Sequence, residues 1–537
     1  MTGTDRIVHG IGKDNVQFFG FDVHRTVFFG SAAMVLLVVA WVIAFPVAAT
    51  DGFAAALSFV TSKAGWLMGS LANFFVVFCL FLVVSPYGSV RLGGPEARPA
   101  FSDLSWFAML FAAGMGIGIV FYSVAEPISH FTSSMAAVGE AAGAAPLGGA
   151  AGDVGASTRL AMSATIFHWT LHPWSIFAVV AVGLALFTYN HGLPLTIRSS
   201  LHPLFGDRVW GPLGDVVDGL AVLATVAGLA TSLGLGAQQA LAGMGYLFGT
   251  EPTLLNQILL IAVIAAVTTL SVSLGLERGV KWLSLINIAL AAALCLFVML
   301  AGPTVKVFAG LWEHTVAWAG NFPALSGVFG REDGPFFRDW TVFYWAWWTA
   351  WAPFVGMFIA RISRGRTVRQ TVFFVVLLPS LVSVVWFTAF GTVAIDQLVV
   401  GGSRAVADAE LPVMLFATLR GLPWAEVSSM IGIILVMVFF ITSWDSGTLV
   451  LDTLASGGKT DTSRRQSVFW ILLVGAAAIA LLLGGGLRSL QSGSVVTGLP
   501  FMVVIALICV GTMLGLVKAR KVAQSQPPPK SQIRPEP

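Results

Sequence analysis

Charged side chains are scarce. Asp, Glu, Lys and Arg make up 10% of the 537 residues, against about 25% in a soluble globular domain, which excludes a water-facing surface over most of the chain. Cysteine is nearly missing: Cys79, Cys295 and Cys509 each lie in an apolar run with no CxxC spacing. A disulfide scaffold and a thiolate metal site are therefore excluded, and the three read as small buried hydrophobes. No GxxxxGK[ST] sequence occurs, so this chain contains no nucleotide-driven pump. The formal net charge of +3 is too small to imply a nucleic acid partner. The first twenty-five residues lack the apolar core of a cleavable signal peptide, so insertion is expected to begin with a retained helix.

What the chain has is hydrophobic length. Apolar residues make up 57%, with 58 glycines and 18 tryptophans, a composition suited to close helix packing and interfacial or pocket rings. Twelve stretches match the roughly 20 residues that cross a bilayer core, near 27–48, 66–86, 103–124, 159–188, 216–246, 254–273, 282–302, 340–360, 368–395, 427–456, 468–484 and 494–517. With the N-terminus placed inside, 21 of the 29 Lys and Arg fall on inside segments, among them Arg91, Arg198, Arg364, Arg366 and Lys459. That distribution favours both termini in the cytoplasm. The expected class is an all-α polytopic membrane protein. Its expected parts are an N-terminus (1–26), two helices (27–102), a first five-helix unit (103–302), an external amphipathic helix (303–338), a second unit (339–517) and a basic, Pro-containing tail (518–537).

Three segments depart from plain membrane helices. In the third span, Gly114, Gly116 and Gly118 alternate in Ala112-Ala113-Gly114-Met115-Gly116-Ile117-Gly118. No single helix face carries that alternation, so an unwound backbone lining a cavity is expected there. The eighth span places four tryptophans in seven residues, Trp345, Trp347, Trp348 and Trp351, ahead of Pro353, and they can line a pocket. In the fourth span His168-Trp169-Thr170-Leu171-His172-Pro173-Trp174 is followed by Phe177. On one continuous helix Trp169, Trp174 and Phe177 share an arc of about 140°. His168 and His172 have a metal-ligand spacing, but no carboxylate or further His shares their span, which disfavours a metal site. The fifth and tenth spans carry matching polar steps, Thr231-Ser232 and Thr442-Ser443. Pairing the third span with the eighth and the fifth with the tenth gives a spacing of five helices, the pattern of an inverted repeat.

The run Gly114 to Gly118, the stretch Tyr344 to Arg369 (YWAWWTAWAPFVGMFIARISRGRTVR) and the HWxxHxW of the fourth span resemble the betaine/choline/carnitine transporter family over about residues 20 to 518. The resemblance implies a LeuT-like 5+5 inverted repeat preceded by two extra helices, assembled as a homotrimer in the cell's inner membrane and moving a small onium solute. It implies an aromatic box at Trp169, Trp174, Trp347, Trp348 and Trp351, with Met115 and Gly118 beside the substrate. Phe177 resembles a position where betaine symporters of the family can carry Tyr, so the cage keeps a π-face and loses a hydroxyl. It also implies a sodium site from carbonyls at Ala112, Met115 and Phe439 with the hydroxyls of Thr442 and Ser443. A second sodium site would draw on Thr225 and Ser232, but Leu229 lies between them and cannot coordinate an ion. Back-bonding within the helix is the alternative reading of Thr442 and Ser443.

The expected function is sodium-driven import of an onium osmolyte, glycine betaine first, with no cofactor beyond the coupling ion. Proton-coupled choline uptake is the runner-up. Choline-type relatives resemble a pattern with an acid at position 118, and Gly118 favours a substrate that brings its own carboxylate. A membrane-embedded enzyme is disfavoured because Glu126, Asp445, His168 and His172 are expected in four separate contexts.

Overall fold

The computed structural model describes residues 10–114, 116–274 and 276–525. Among the described residues a short hairpin, β1 (Asn15–Phe18) and β2 (Phe21–His24), precedes nineteen α-helices. They are α1 (Arg25–Ala44), α2 (Pro46–Phe59), α3 (Gly65–Val84), α4 (Asp103–Gly114), α5 (Ile117–Met135), α6 (Val154–Trp169), α7 (Leu171–Ala185), α8 (His202–Phe205), α9 (Pro212–Phe248) and α10 (Leu254–Leu274). Then follow α11 (Leu276–Ala301), α12 (Thr304–Ser326), α13 (Gly334–Phe336), α14 (Phe343–Ile362), α15 (Val368–Val399), α16 (Met414–Arg420), α17 (Ala425–Ala455), α18 (Arg464–Leu483) and α19 (Leu487–Ser525).

Among the described residues, ten helical segments are long and apolar enough to cross a membrane. The expected third and eighth spans are not among them. The third is divided between α4 and α5, and the eighth, α14, carries Tyr, Thr, Pro and four Trp in place of aliphatic side chains.

Local chemistry sets the ends. Pro46 and Pro212 open α2 and α9 at positions where a missing N–H costs nothing. Gly249, at φ 71°, closes α9 in the left-handed conformation that a Cβ would oppose. Thr367 and Gln370 form a reciprocal capping box at the start of α15. The amphipathic helix expected in 303–338 is α12, which packs on α6 and α15 and leaves Trp312 exposed. In the middle of the bundle α14 is surrounded by α7, α9 and α19, so its four tryptophans are buried rather than interfacial.

Within the expected N-terminal segment 1–26 the hairpin forms, and in the segment of the two extra helices α2 joins α3 through a π-turn at Val60–Ala64. The hairpin is held by distant chain: Asn15 Nδ2 donates to the Ser456 carbonyl (3.1 Å), Lys459 Nζ to Asp22 (2.6 Å) and Arg465 Nη1 to the Phe19 carbonyl (2.8 Å). Behind it Arg198 pairs with Asp215 (2.9 Å) and Asp218 (2.5 Å), and His24 Nε2 lies 3.7 Å from Asp215.

Burial, reinforced by the Arg198 guanidinium, holds the His24 imidazole below the 6.5 of a free histidine. Unfolded chain therefore binds more protons than docked hairpin in this window, and the His24 contribution to docking, complete above 6.5, is lost as pH falls below it. Hydrogen exchange over residues 15–24, corrected for intrinsic rate, should accelerate between about pH 7.5 and about pH 5.5. Equal protection at both values would contradict this account.

Candidate functional site

The glycine run produces a break. Helix α4 ends at Gly114 and α5 begins at Ile117, with Gly116 extended at φ −127°, ψ −168°. The carbonyls in the last turn of α4 cannot continue an α-ladder across the break, and just beyond it Trp386 Nε1 of α15 donates to the Ile119 carbonyl in the first turn of α5 (3.0 Å). The glycines also make room for rings. A Cβ on Gly118 would lie 2.5 Å from Trp347 Cη2 and 3.1 Å from Trp169 Cη2, and one on Gly116 would lie 3.0 Å from Trp351 Cη2. Met115, expected beside both substrate and ion, lies outside the described residues, and Ala112 falls in the last turn of α4.

The fourth span is broken as well, which its sequence reading as one helix did not anticipate. Thr170 (φ −114°, ψ −111°) separates α6 from α7, since Pro173 has no N–H to offer the Trp169 carbonyl. The common arc for Trp169, Trp174 and Phe177 therefore does not exist, yet the rings still form one group through α14. Trp348 meets Trp169 edge-on at 4.8 Å, Phe177 edge-on at 6.2 Å and Trp347 stacked at 5.1 Å, and Phe177 meets Trp174 at 5.5 Å. Trp351 meets Trp347 at 6.5 Å. The Trp348 indole N–H donates to the His168 carbonyl at the break (3.1 Å). The eighth span is not broken, contrary to its expected pairing with the third: α14 runs straight through Pro353.

The expected sodium ligands come together only in part. Ser443 Oγ lies 3.8 Å from the place a Gly116 Cβ would occupy, so α17 meets the break in the third span. Thr442 Oγ1, however, donates to the carbonyls of Val438 (2.9 Å) and Phe439 (3.3 Å) of its own helix. This is the back-bonded alternative. In α9 the hydroxyls of Thr225 and Ser232 likewise donate to the carbonyls of Ala221 (2.8 Å) and Gly228 (3.0 Å). Leu229 packs against Gly447 of α17, where a Cβ would come within 2.5 Å of its Cδ1.

One expectation is overturned. Glu126 and His168, expected in separate contexts, are joined: Glu126 Oε1 lies 2.6 Å from His168 Nδ1 and 3.2 Å from His130 Nε2. The other oxygen, Oε2, accepts from the Trp169 indole (2.7 Å) and the Tyr344 hydroxyl (2.5 Å). Tertiary packing of α5, α6 and α14 makes this contact across more than 40 and 200 residues of chain, beyond any local spacing rule. His172 is elsewhere, bonded to Asn73 (2.9 Å) and stacked on Trp345, so the two histidines at i, i+4 do not converge. Sequence reasoning missed Glu126, His130 and Tyr344 as members of the site. The available signal was an ionisable residue inside an apolar span.

A polytopic chain with a box of rings behind a broken helix can bind a solute inside a membrane. The profile of the BCCT family (betaine/carnitine/choline family transporter) matches residues 26–521. The chain is 52% identical to a glycine betaine/proline/choline transporter of Vibrio parahaemolyticus, covering 94% of this chain and 93% of that one. It is 47% identical to glycine betaine transporter 1 of the same organism (96% and 98%) and 40% identical to a glycine betaine transporter of Bacillus subtilis (92% and 95%). With nearly the full length matched in each case, the chain belongs to the BCCT family and is a multi-pass membrane transporter rather than an enzyme.

Proposed function

We propose that this transporter imports glycine betaine by symport with one sodium ion, as a homotrimer in the inner membrane with both termini cytoplasmic. The observation that carries the substrate is the ring group of Trp169, Phe177, Trp347, Trp348 and Trp351, assembled from three helices at the broken third span. A trimethylammonium group has no N–H to donate, so its recognition rests on ring quadrupoles, worth about 2 kcal/mol or more per desolvated ring. The Trp347 indole nitrogen is buried with no acceptor. A buried unpaired donor is costly, and a carboxylate at the other end of the solute would satisfy it. The relatives named above support the same substrate class.

Sodium is supported by the approach of the Ser443 hydroxyl to the break, an oxygen donor of the kind a hard cation takes. In ion binding the Thr442 hydroxyl leaves its back-bond, and the ion then joins α17 to the third span and favours the substrate-ready state by differential affinity.

Replacing Thr442 and Ser443 together with alanine should raise the sodium concentration for half-maximal uptake by about tenfold, a loss of about 1.4 kcal/mol. Affinity for betaine at saturating sodium should change far less. Leu229 between Thr225 and Ser232 predicts a Hill coefficient near one. Proteoliposome uptake under imposed ion gradients decides the matter: strong uptake without sodium, driven by protons, overturns symport with sodium, and a coefficient near two overturns the single site.

A further inference from the structure

Glu126 accepts four bonds and sits directly behind a wall of the ring group. A carboxylate can only accept, so the contacts fix the protonation of its partners. His130 Nε2 and His168 Nδ1 present N–H to Oε1, and the Trp169 indole and Tyr344 hydroxyl donate to Oε2. His168 Nε2 is then free to accept from the Thr341 hydroxyl at 3.0 Å. With both imidazoles neutral, the set carries one net negative charge, and Glu126, His130 and His168 are all fully buried. Among the described residues, the other ionisable groups acting on the set are Tyr122 from α5, Tyr344 from α14, His172 from α7 and Arg331. Arg331 is itself paired with Asp333 at 2.7 Å, so it leaves the sum unchanged.

We propose that Glu126 is a specificity-determining counter-charge behind the aromatic box. The proposal rests on the aromatic-box reading and adds what that reading lacks, a term that distinguishes net charge. Ring quadrupoles attract the onium end of a zwitterion and of a cation alike. A buried negative charge beside them acts on net charge: it favours choline, with one positive charge, over glycine betaine, whose carboxylate it repels. The set therefore opposes the preference for a carboxylated solute that an uncharged residue at position 118 confers. Because Oε2 also holds the Trp169 indole, Glu126 orients one ring of the box, and the test must separate orientation from charge.

The experiment measures binding of glycine betaine and of choline to the purified full-length protein in proteoliposomes by quenching of tryptophan fluorescence. Relative to the wild-type protein, Glu126→Gln should lower the choline-to-betaine affinity ratio about tenfold, equivalent to about 1.4 kcal/mol. Tyr344→Phe removes a donor and keeps the carboxylate, so it should weaken both ligands while the ratio persists. A Glu126→Gln protein that weakens both ligands equally and retains the wild-type ratio would reduce Glu126 to a structural role and overturn the proposal. Should that variant fail to reach the membrane, Tyr344→Phe decides: a ratio that moves on loss of the donor alone overturns the proposal equally. Trp348→Ala separates the two levels. Wild-type binding of both ligands by that variant defeats the aromatic box itself, whereas lost binding there with an unchanged ratio in Glu126→Gln defeats only the counter-charge.

Discussion

Replacing Trp348 with alanine is expected to abolish high-affinity uptake while the protein reaches the membrane in normal amount. Its ring is the hub of the group, within 4.8 Å of Trp169, 5.1 Å of Trp347 and 6.2 Å of Phe177. Loss of one desolvated cation–π contact, about 2 kcal/mol, corresponds to roughly thirtyfold in affinity. A second cost follows from the break at Thr170, because the Trp348 indole donates to the His168 carbonyl and its removal leaves that carbonyl unpaired. Trp348→Phe restores a ring but not the donor, so its uptake should lie between alanine and wild type. Trp169→Ala should be as severe, since it removes both a face and the donor to Glu126. Uptake normalised to membrane abundance is the measurement, and normal values for both alanine variants would refute the aromatic box.

The second large effect is expected at Gly118. A Cβ there would stand 2.5 Å from Trp347 Cη2 and 3.1 Å from Trp169 Cη2, closer than packed atoms approach. Gly118→Ala should therefore displace one ring or the other, at about 1–3 kcal/mol of overpacking strain, and lower betaine uptake about tenfold or more. Gly118→Asp adds the same bulk and a charge. Compared with the alanine variant, it should move the preference from a carboxylated zwitterion towards a cation, because a carboxylate beside the substrate repels one and attracts the other. The ratio of betaine to choline uptake, aspartate against alanine, reads the charge with the bulk held nearly constant. An unchanged or higher ratio in an active aspartate variant would remove Gly118 from the neighbourhood of the substrate.

These two positions differ in how openly the sequence declared them. Alternating glycines at 114, 116 and 118 are incompatible with a helix face, a local rule that needs no partner, and α4 and α5 part there. The break in the fourth span was declared less plainly. Pro173 marks it, but the run 159–188 reads as one continuous span, and the donor that meets the His168 carbonyl at the break comes from α14. Leu229 was legible as unable to bind an ion, whereas its packing on Gly447 needed α9 laid against α17.

From the sequence alone came the membrane class, through scarce charge and repeated apolar length, and the residue types that suit an onium ion, through the density of tryptophan in one span. Those are properties of composition and short spacing, governed by solvent transfer and by helix period. Tertiary structure decided which rings meet, since Trp169 and Phe177 touch Trp348 from opposite sides of a break that no helical wheel contains. It decided that Thr442 turns back on its own helix. It also decided that Glu126, His130 and His168 form one set with Trp169 and Tyr344. Such contacts are set by how helices cross, and a buried carboxylate has to find its donors wherever the crossing brings them.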